Sequence, residues 1–296
     1  MASSFISFPT FDAPISFPMF GEGFSISPPS FIQIGSFPVY FYGIIIALGF
    51  LLAVLYHVKF HNRLDIKMDD IFDLMLFAVP AAIIGARLYY VLFNWSLYAD
   101  DLLGIFRIRD GGLAIYGGVI GTAIALYFRC KHKKIPLGPA MDVAAFGLLI
   151  GQSVGRWGNF INREAYGYTT DIFCRMGITP PGGETFFVHP AFLYESLWNI
   201  LGLVILHFLC KTRRRYSGQF FILYVFWYGL GRFFIEGLRT DSLWLVQDVI
   251  RVSQLLALLS AAAALAVYII NFRRVSRFQK PFLGGALANH DEESGA

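Results

Sequence analysis

Long apolar blocks separated by short polar links run along the chain from residue 38 to residue 271. A helix needs about 20 mostly apolar residues to cross a bilayer. Blocks at 38–58, 70–93, 112–128, 138–155, 190–210, 218–238 and 249–271 meet or approach that length, and they predict an all-α integral membrane protein of seven transmembrane helices. The third block is short and opens on glycines, which allows a broken or re-entrant helix. Residues 1–37 break the pattern. Their Phe, Pro, Ser and Gly ("SFPTFDAPISFPMFGEGFSISPPSF") forbid a continuous helix. The phenylalanines suggest a segment at the lipid–water boundary, with aromatic-rich disorder as the alternative. The expected division is 1–37 as an extracytoplasmic segment, 38–272 as a seven-helix catalytic domain, and 273–296 as a basic and then polar tail, disordered from Pro281. No internal repeat is visible.

Composition supports the membrane reading. Of 296 residues, 56% are hydrophobic and 15% charged, against about a quarter charged in a soluble domain. Cys130, Cys174 and Cys210 show no metal-ligand or CxxC spacing, and two of them adjoin basic clusters, so no disulfide framework is expected. The net charge of +4 matters less than its distribution. No lysine or arginine precedes Lys59, so the start lacks the basic n-region of a secretory signal. Lys59, Arg63 and Lys67 fill the first link, and Arg129, Lys131, Lys133 and Lys134 the third. Lys211, Arg213, Arg214 and Arg215 fill the fifth, while Arg273, Arg274, Arg277 and Lys280 follow the last block. These alternate connections share one side. The positive-inside rule makes that side cytoplasmic, with the N-terminus outside and the C-terminus inside.

The remaining basic residues are all arginine: Arg87, Arg107, Arg109, Arg156, Arg163, Arg175, Arg232, Arg239 and Arg251. Arginine without lysine suggests bidentate recognition of phosphate or carboxylate, or else plain pairing with Asp and Glu. These arginines fall in the other links or the outer parts of the helices, and three polar stretches stand out on that outer half. In "GRWGNFINREAYG", Arg156 and Asn159 are one helical turn apart and Glu164 follows. A guanidinium, a carboxamide and a carboxylate suit a phosphate head group and a mobile proton; an Arg–Glu-held helix cap is the plainer account. In "YGLGRFFIEGLRTDS", Tyr228, Arg232, Glu236 and Arg239 share a helical face, and Arg232 can pair with Glu236 at i, i+4. Such a stripe turns toward protein or water, not lipid. In "GGLAIYGGVIG", paired glycines flank Tyr116; small-residue helix packing explains most of the glycines. Weaker signals are "HPAFLYES" (His189, Tyr194, Glu195), "FYG" (Tyr42) and "GARLYYVLFNW" (Arg87, Asn94).

Together these stretches resemble the bacterial phosphatidylglycerol–prolipoprotein diacylglyceryl transferases. "GRWGNFINREAYG" matches the pattern GRxGNFxNxExxG at every fixed position, and the resemblance spans about Tyr40 to Asn271. It implies a multi-pass enzyme of the bacterial plasma membrane with its site toward the extracytoplasmic face. Its partners would be phosphatidylglycerol, the lipobox cysteine of a prolipoprotein signal peptide and the bilayer, with no nucleic acid, metal or other cofactor. The implied reaction transfers an sn-1,2-diacylglyceryl group to the cysteine thiol as a thioether, releasing glycerol-1-phosphate as the first step of lipoprotein maturation. By the same resemblance, Arg156 and Arg232 would hold the phosphate, and Asn159, Glu164 and Gly167 would shape the pocket. Tyr42 and Tyr228 match essential positions. Asn162, Glu236, Arg239, Arg87 and His189 complete the expected binding set. One departure concerns Tyr116, where many members carry histidine in GGLxxHGG. Tyrosine titrates near pH 10 against about 6.5 for histidine, so it is better suited to orienting a lipid than to taking a proton.

The chemistry needs two aids. A thiol of pKa about 8.5 is only a few per cent thiolate at neutral pH. A positive field from Arg156 and Arg232 would favour the thiolate and the departing phosphate oxygen. Glu164, Tyr116 or a phosphate oxygen could accept the proton. Other readings are an anion transporter, though the two similar halves common in such proteins are not visible, and a seven-helix receptor, which needs fewer converging arginines.

Overall fold

The computed structural model describes residues 6–7, 13–108, 111–240, 244–246 and 250–278. Arg109, Lys280 and the tail from Pro281 lie outside these residues. Among the described residues, seven helices of 18 residues or more fall on the seven expected blocks: α1 (Phe41–Phe60), α2 (Met68–Phe93), α3 (Ile115–Lys133), α4 (Leu137–Asn162), α5 (Ala191–Thr212), α6 (Gln219–Glu236) and α7 (Val252–Phe278). Five of these stretches (α1, α2, α4, α5 and α7) are long and apolar enough to cross a membrane. In α3 the apolar content is diluted by Gly117, Gly118, Gly121 and the basic end, and in α6 by Gln219, Arg232 and Glu236. The outer faces are as greasy as the inner ones. Leu51 of α1 is 51% exposed and Leu76 of α2 is 70% exposed. Water would penalise such faces, whereas lipid accepts them, and a helix satisfies its own backbone there.

Two findings change the sequence reading. The glycine-rich third block is not broken, because α3 is continuous from Ile115 to Lys133. The 138–155 block also does not stop before its polar stretch. Helix α4 runs on to Asn162, so Arg156 and Asn159 occupy its last two turns.

The fold is also not purely helical. Strands β1 (Ile6–Ser7), β4 (Phe31–Ile34) and β5 (Phe37–Tyr40) form one antiparallel sheet. A second sheet has the order β3 (Ser25–Ile26), β2 (Ile15–Ser16), β6 (Met176–Ile178), β7 (Phe186–Val188), with Ile15 opposite Ile178. A third pairs β8 (Trp244–Val246) with β9 (Ile250–Arg251). Ile15 is fully buried with Phe160, Met176, Ile178, Val188 and Phe192. Part of the Phe-rich segment therefore builds core.

The chain divides into two compact units, residues 1–59 with 144–296, and residues 60–143. In the smaller unit, α2 and α3 pack backbone to backbone. A Cβ on Gly117 would lie 2.3 Å from the carbonyl oxygen of Gly85, and one on Gly121 would lie 2.6 Å from that of Ala81. At the far end of the same pair, Arg129 Nε donates to Asp73 at 2.6 Å.

In the larger unit a reciprocal clasp joins α5 to α6. The Trp198 and Trp227 rings stack at 4.3 Å, and each indole N–H donates to the other residue's carbonyl, at 3.0 and 2.9 Å. Gly231 and Gly202 leave room for the two rings. Helix α4 joins α5 through Ser196, whose hydroxyl donates to the Ser153 carbonyl at 2.9 Å, and through the Phe160–Phe192 contact at 4.7 Å. These contacts fix the register of the three helices that carry the polar residues.

Candidate functional site

Glu195 sits one turn into α5 and is 4% exposed. A lone buried carboxylate is costly unless it is paired, and here three guanidiniums meet it. Arg156 of α4 approaches Oε2 at 2.6 Å, Arg232 of α6 reaches Oε1 at 3.0 Å, and Arg239 reaches Oε1 at 3.4 Å. Arg232 also grips Glu236 one turn on, at 2.6 Å, as the i, i+4 spacing predicts. Ser253 of α7 donates to Glu236 at 2.6 Å. Four helices thus contribute to one ionic cluster.

A polar relay leads from that cluster to the surface. Arg156 Nη1 donates to Asn159 at 3.1 Å, and Asn159 Nδ2 donates to Glu164 at 2.8 Å. Asn162 donates to the same carboxylate at 3.4 Å. Glu164 is exposed, and among the described residues its carboxylate accepts only from these two amides. The chain reaches it by a tight exit from α4. Arg163 and Ala165 have φ of 54° and 56°, the left-handed region that non-glycine residues enter at a cost of about 1 kcal/mol each. The Glu164 N–H donates back to the Asn159 carbonyl at 3.0 Å, and Arg163 Nε anchors the turn on the Ala13 carbonyl at 2.9 Å.

Two glycines of the polar stretch have assigned reasons. A Cβ on Gly158 would fall 2.5 Å from the Tyr42 ring, so Tyr42 lies against the α4 backbone there. A Cβ on Gly167 would fall 2.7 Å from both His189 Cβ and the Leu238 carbonyl oxygen. Gly167 bridges to Arg239, and its N–H donates to the His189 carbonyl at 2.9 Å, tying the α4 exit loop to the start of α5 and the end of α6. His189 Nδ1 lies 3.3 Å from the Tyr194 hydroxyl, and burial pushes its pKa down. Tyr228 stacks on Tyr224 at 5.8 Å, one turn before Arg232.

Arg87 and Tyr116 belong to the smaller unit. Arg87 is 6% exposed. Its Nε donates to Ile105, its Nη1 to Gly111 and Gly112, and its Nη2 to Gly104 and Arg107, all backbone carbonyls at 2.6–3.2 Å. A guanidinium has five N–H groups, so Arg87 is saturated as a loop clamp. Tyr116 opens α3, is 54% exposed, and has no hydrogen-bond partner among the described residues.

Sequence reasoning underrated Glu195. Its only signal is a carboxylate inside an apolar helix, in a stretch ranked weak, and its three partners come from other parts of the chain. The Trp198–Trp227 clasp left no signal beyond two tryptophans in greasy helices. A cavity of about 610 Å³ lined by Pro18, Met19, Phe24, Phe173, Arg175 and Phe187 opens elsewhere in the larger unit, away from the ionic cluster.

Residues 29–270 match the family model for prolipoprotein diacylglyceryl transferase. A protein of Enterococcus faecalis named phosphatidylglycerol–prolipoprotein diacylglyceryl transferase is 46% identical over 247 residues, which cover 80% of this chain and 87% of that one. A Bacillus cereus protein of the same name is 42% identical over 259 residues, covering 85% and 94%. One from Halalkalibacterium halodurans is 40% identical over 246 residues, covering 80% and 84%.

Proposed function

The chain belongs to the prolipoprotein diacylglyceryl transferase family, and on that footing we propose that Arg156 and Arg232 hold the phosphate of phosphatidylglycerol during transfer. The enzyme moves the sn-1,2-diacylglyceryl group to the lipobox cysteine thiol of a prolipoprotein. The cysteine sulfur bonds to the glyceryl carbon that carries the phosphate ester. The carbon–oxygen bond breaks, and glycerol-1-phosphate leaves with the electron pair.

One observation carries this reading. Arg156 and Arg232 come from different helices and engage opposite oxygens of one carboxylate, with N–H groups to spare. Among the described residues Arg156 forms ion pairs or hydrogen bonds only with Glu195 and Asn159, and Arg232 only with Glu195 and Glu236. Two forks that converge on a two-oxygen anion suit a phosphodiester equally well. In a low-dielectric site they stabilise charge as it develops on the leaving oxygen. Glu164 is the proton acceptor best supported, since amides rather than arginines hold it.

In this reading the chain crosses the bacterial plasma membrane seven times, with the N-terminus outside, the C-terminus in the cytoplasm and the cluster toward the outer face. The support is the alternation of basic links, together with the exposed apolar side chains of α3 (Ile115, Val119, Ile120 and Ile124) and the apolar run of α6. Purified protein given phosphatidylglycerol vesicles and a lipobox peptide yields thioether-lipidated peptide and glycerol-1-phosphate; intact peptide and lipid would overturn the activity. Lysine at position 156 or 232 keeps the charge and loses the fork, and turnover drops about 100-fold or more. Full turnover in either variant removes the bidentate role.

A further inference from the structure

One helical turn inward from the ionic cluster lies a second polar level that the transfer reaction as described leaves without a task. The α4–α5 register is set by Arg156–Glu195 and Ser153–Ser196, and the α5–α6 register by Glu195–Arg232 and Trp198–Trp227. Stepping four residues along each helix from the cluster brings Gln152, Asn199 and Tyr228 to one level. Asn199 is 2% exposed, yet its Oδ1 has no hydrogen-bond partner among the described residues. Gln152 Nε2 donates to the Tyr224 hydroxyl at 2.9 Å, and its Oε1 is also buried and unpartnered. Turning the Gln152 amide over leaves its NH2 alone in place of the oxygen, and a hydroxyl, which both donates and accepts, satisfies either orientation.

Orphaned buried oxygens are costly, and natural cores keep few of them. Two at one level, directly beneath a pair of arginines, call for a ligand that donates. The acyl chains, ester carbonyls and phosphate of the lipid donate nothing. The head-group glycerol of phosphatidylglycerol donates through two hydroxyls, on the second and third carbons from the phosphate. Those hydroxyls reach a distance comparable to the helical pitch of about 5.4 Å.

Building on the proposed phosphate site, we infer that Gln152 and Asn199 form a diol subsite that recognises the head-group hydroxyls of the donor lipid. The subsite selects the leaving group, while the arginines bind any phosphodiester. A lipid without the hydroxyls leaves both oxygens unpaired, and sites built for a hydroxyl reject analogues that lack it.

Transfer to a lipobox peptide is compared for phosphatidylglycerol and phosphatidylpropanol, which lacks both hydroxyls and keeps the phosphate and acyl chains. The wild type prefers phosphatidylglycerol by about tenfold or more in kcat/KM. Asn199→Leu and Gln152→Met bring that ratio toward one. If Asn199→Leu does not accumulate folded, the ratio in Gln152→Met decides. A purely structural role lowers both rates together and leaves the ratio at its wild-type value, which overturns the subsite. Equal use of both lipids by the wild type overturns it as well, with the phosphate site intact. Wild-type protein that transfers from neither lipid overturns the proposed activity, and this inference with it.

Discussion

Arg87 and the pair Arg156–Arg232 are guanidiniums placed in apolar helices, and their surroundings differ in kind. Arg87 spends every N–H on neutral backbone carbonyls of one loop. Arg156 and Arg232 meet a carboxylate supplied by a third helix and keep N–H groups uncommitted. A saturated guanidinium has nothing left for a ligand, so its burial serves the fold. An unsaturated pair sharing one anion is held in place and still able to bind. Burial alone therefore does not mark a functional arginine; the account of its donors does.

Breaking the shared anion produces the largest effect on stability. Glu195→Gln keeps the shape and removes the charge that three guanidiniums face, which costs roughly 3–5 kcal/mol. Thermal unfolding in detergent reads this loss, and an unchanged midpoint would mean that the arginines do not depend on Glu195. Arg87→Lys strands several carbonyls of the clamped loop and costs about 2–4 kcal/mol. Turnover per folded molecule stays within about threefold of wild type, because Arg87 is a clamp under this comparison. A selective loss of turnover with stability intact would instead move Arg87 into the site.

Much of this contrast was not legible in the sequence. The seven apolar blocks became seven helices because length and hydropathy decide that outcome locally. The Arg232–Glu236 pair was legible for the same reason, since i, i+4 spacing is a local geometry. Glu195 was not, because nothing near it in sequence reports that Arg156, Arg232 and Arg239 converge on it. Arg87 was grouped with the ligand arginines, since sequence shows a charge in a helix and not the carbonyls that surround it. Close packing accounts for Gly117, Gly118 and Gly121 against α2, whereas Gly111 and Gly112 serve the positive-φ turn that precedes α3. Strands within residues 1–37 were missed because two-residue pairings such as Ile15 opposite Ile178 are fixed by a partner far along the chain.

Smaller perturbations separate the two units further. Gly117→Val forces side-chain atoms onto the Gly85 carbonyl and costs about 1–3 kcal/mol in the α2–α3 pair. Cysteine cross-links across the α5–α6 clasp still form at wild-type yield, and a loss there would show that the disturbance spreads beyond its own helices. The smallest effect concerns His189, whose pKa burial holds below 6.5. The unfolded chain then binds the extra proton first, so stability declines as pH falls below about 6.5. In His189→Asn that part of the slope disappears from the melting midpoint measured between about pH 7 and pH 5, and an unaltered slope would assign it to other groups.

The central claim is that uncommitted donors on Arg156 and Arg232 bind the lipid phosphate. Native mass spectrometry of protein titrated with phosphatidylglycerol tests it directly, with the Arg156→Lys/Arg232→Lys double variant set against Arg87→Lys. The account predicts that phosphatidylglycerol adducts weaken about tenfold or more in the double variant and persist in Arg87→Lys. Equal lipid binding by the double variant and the wild type would contradict it.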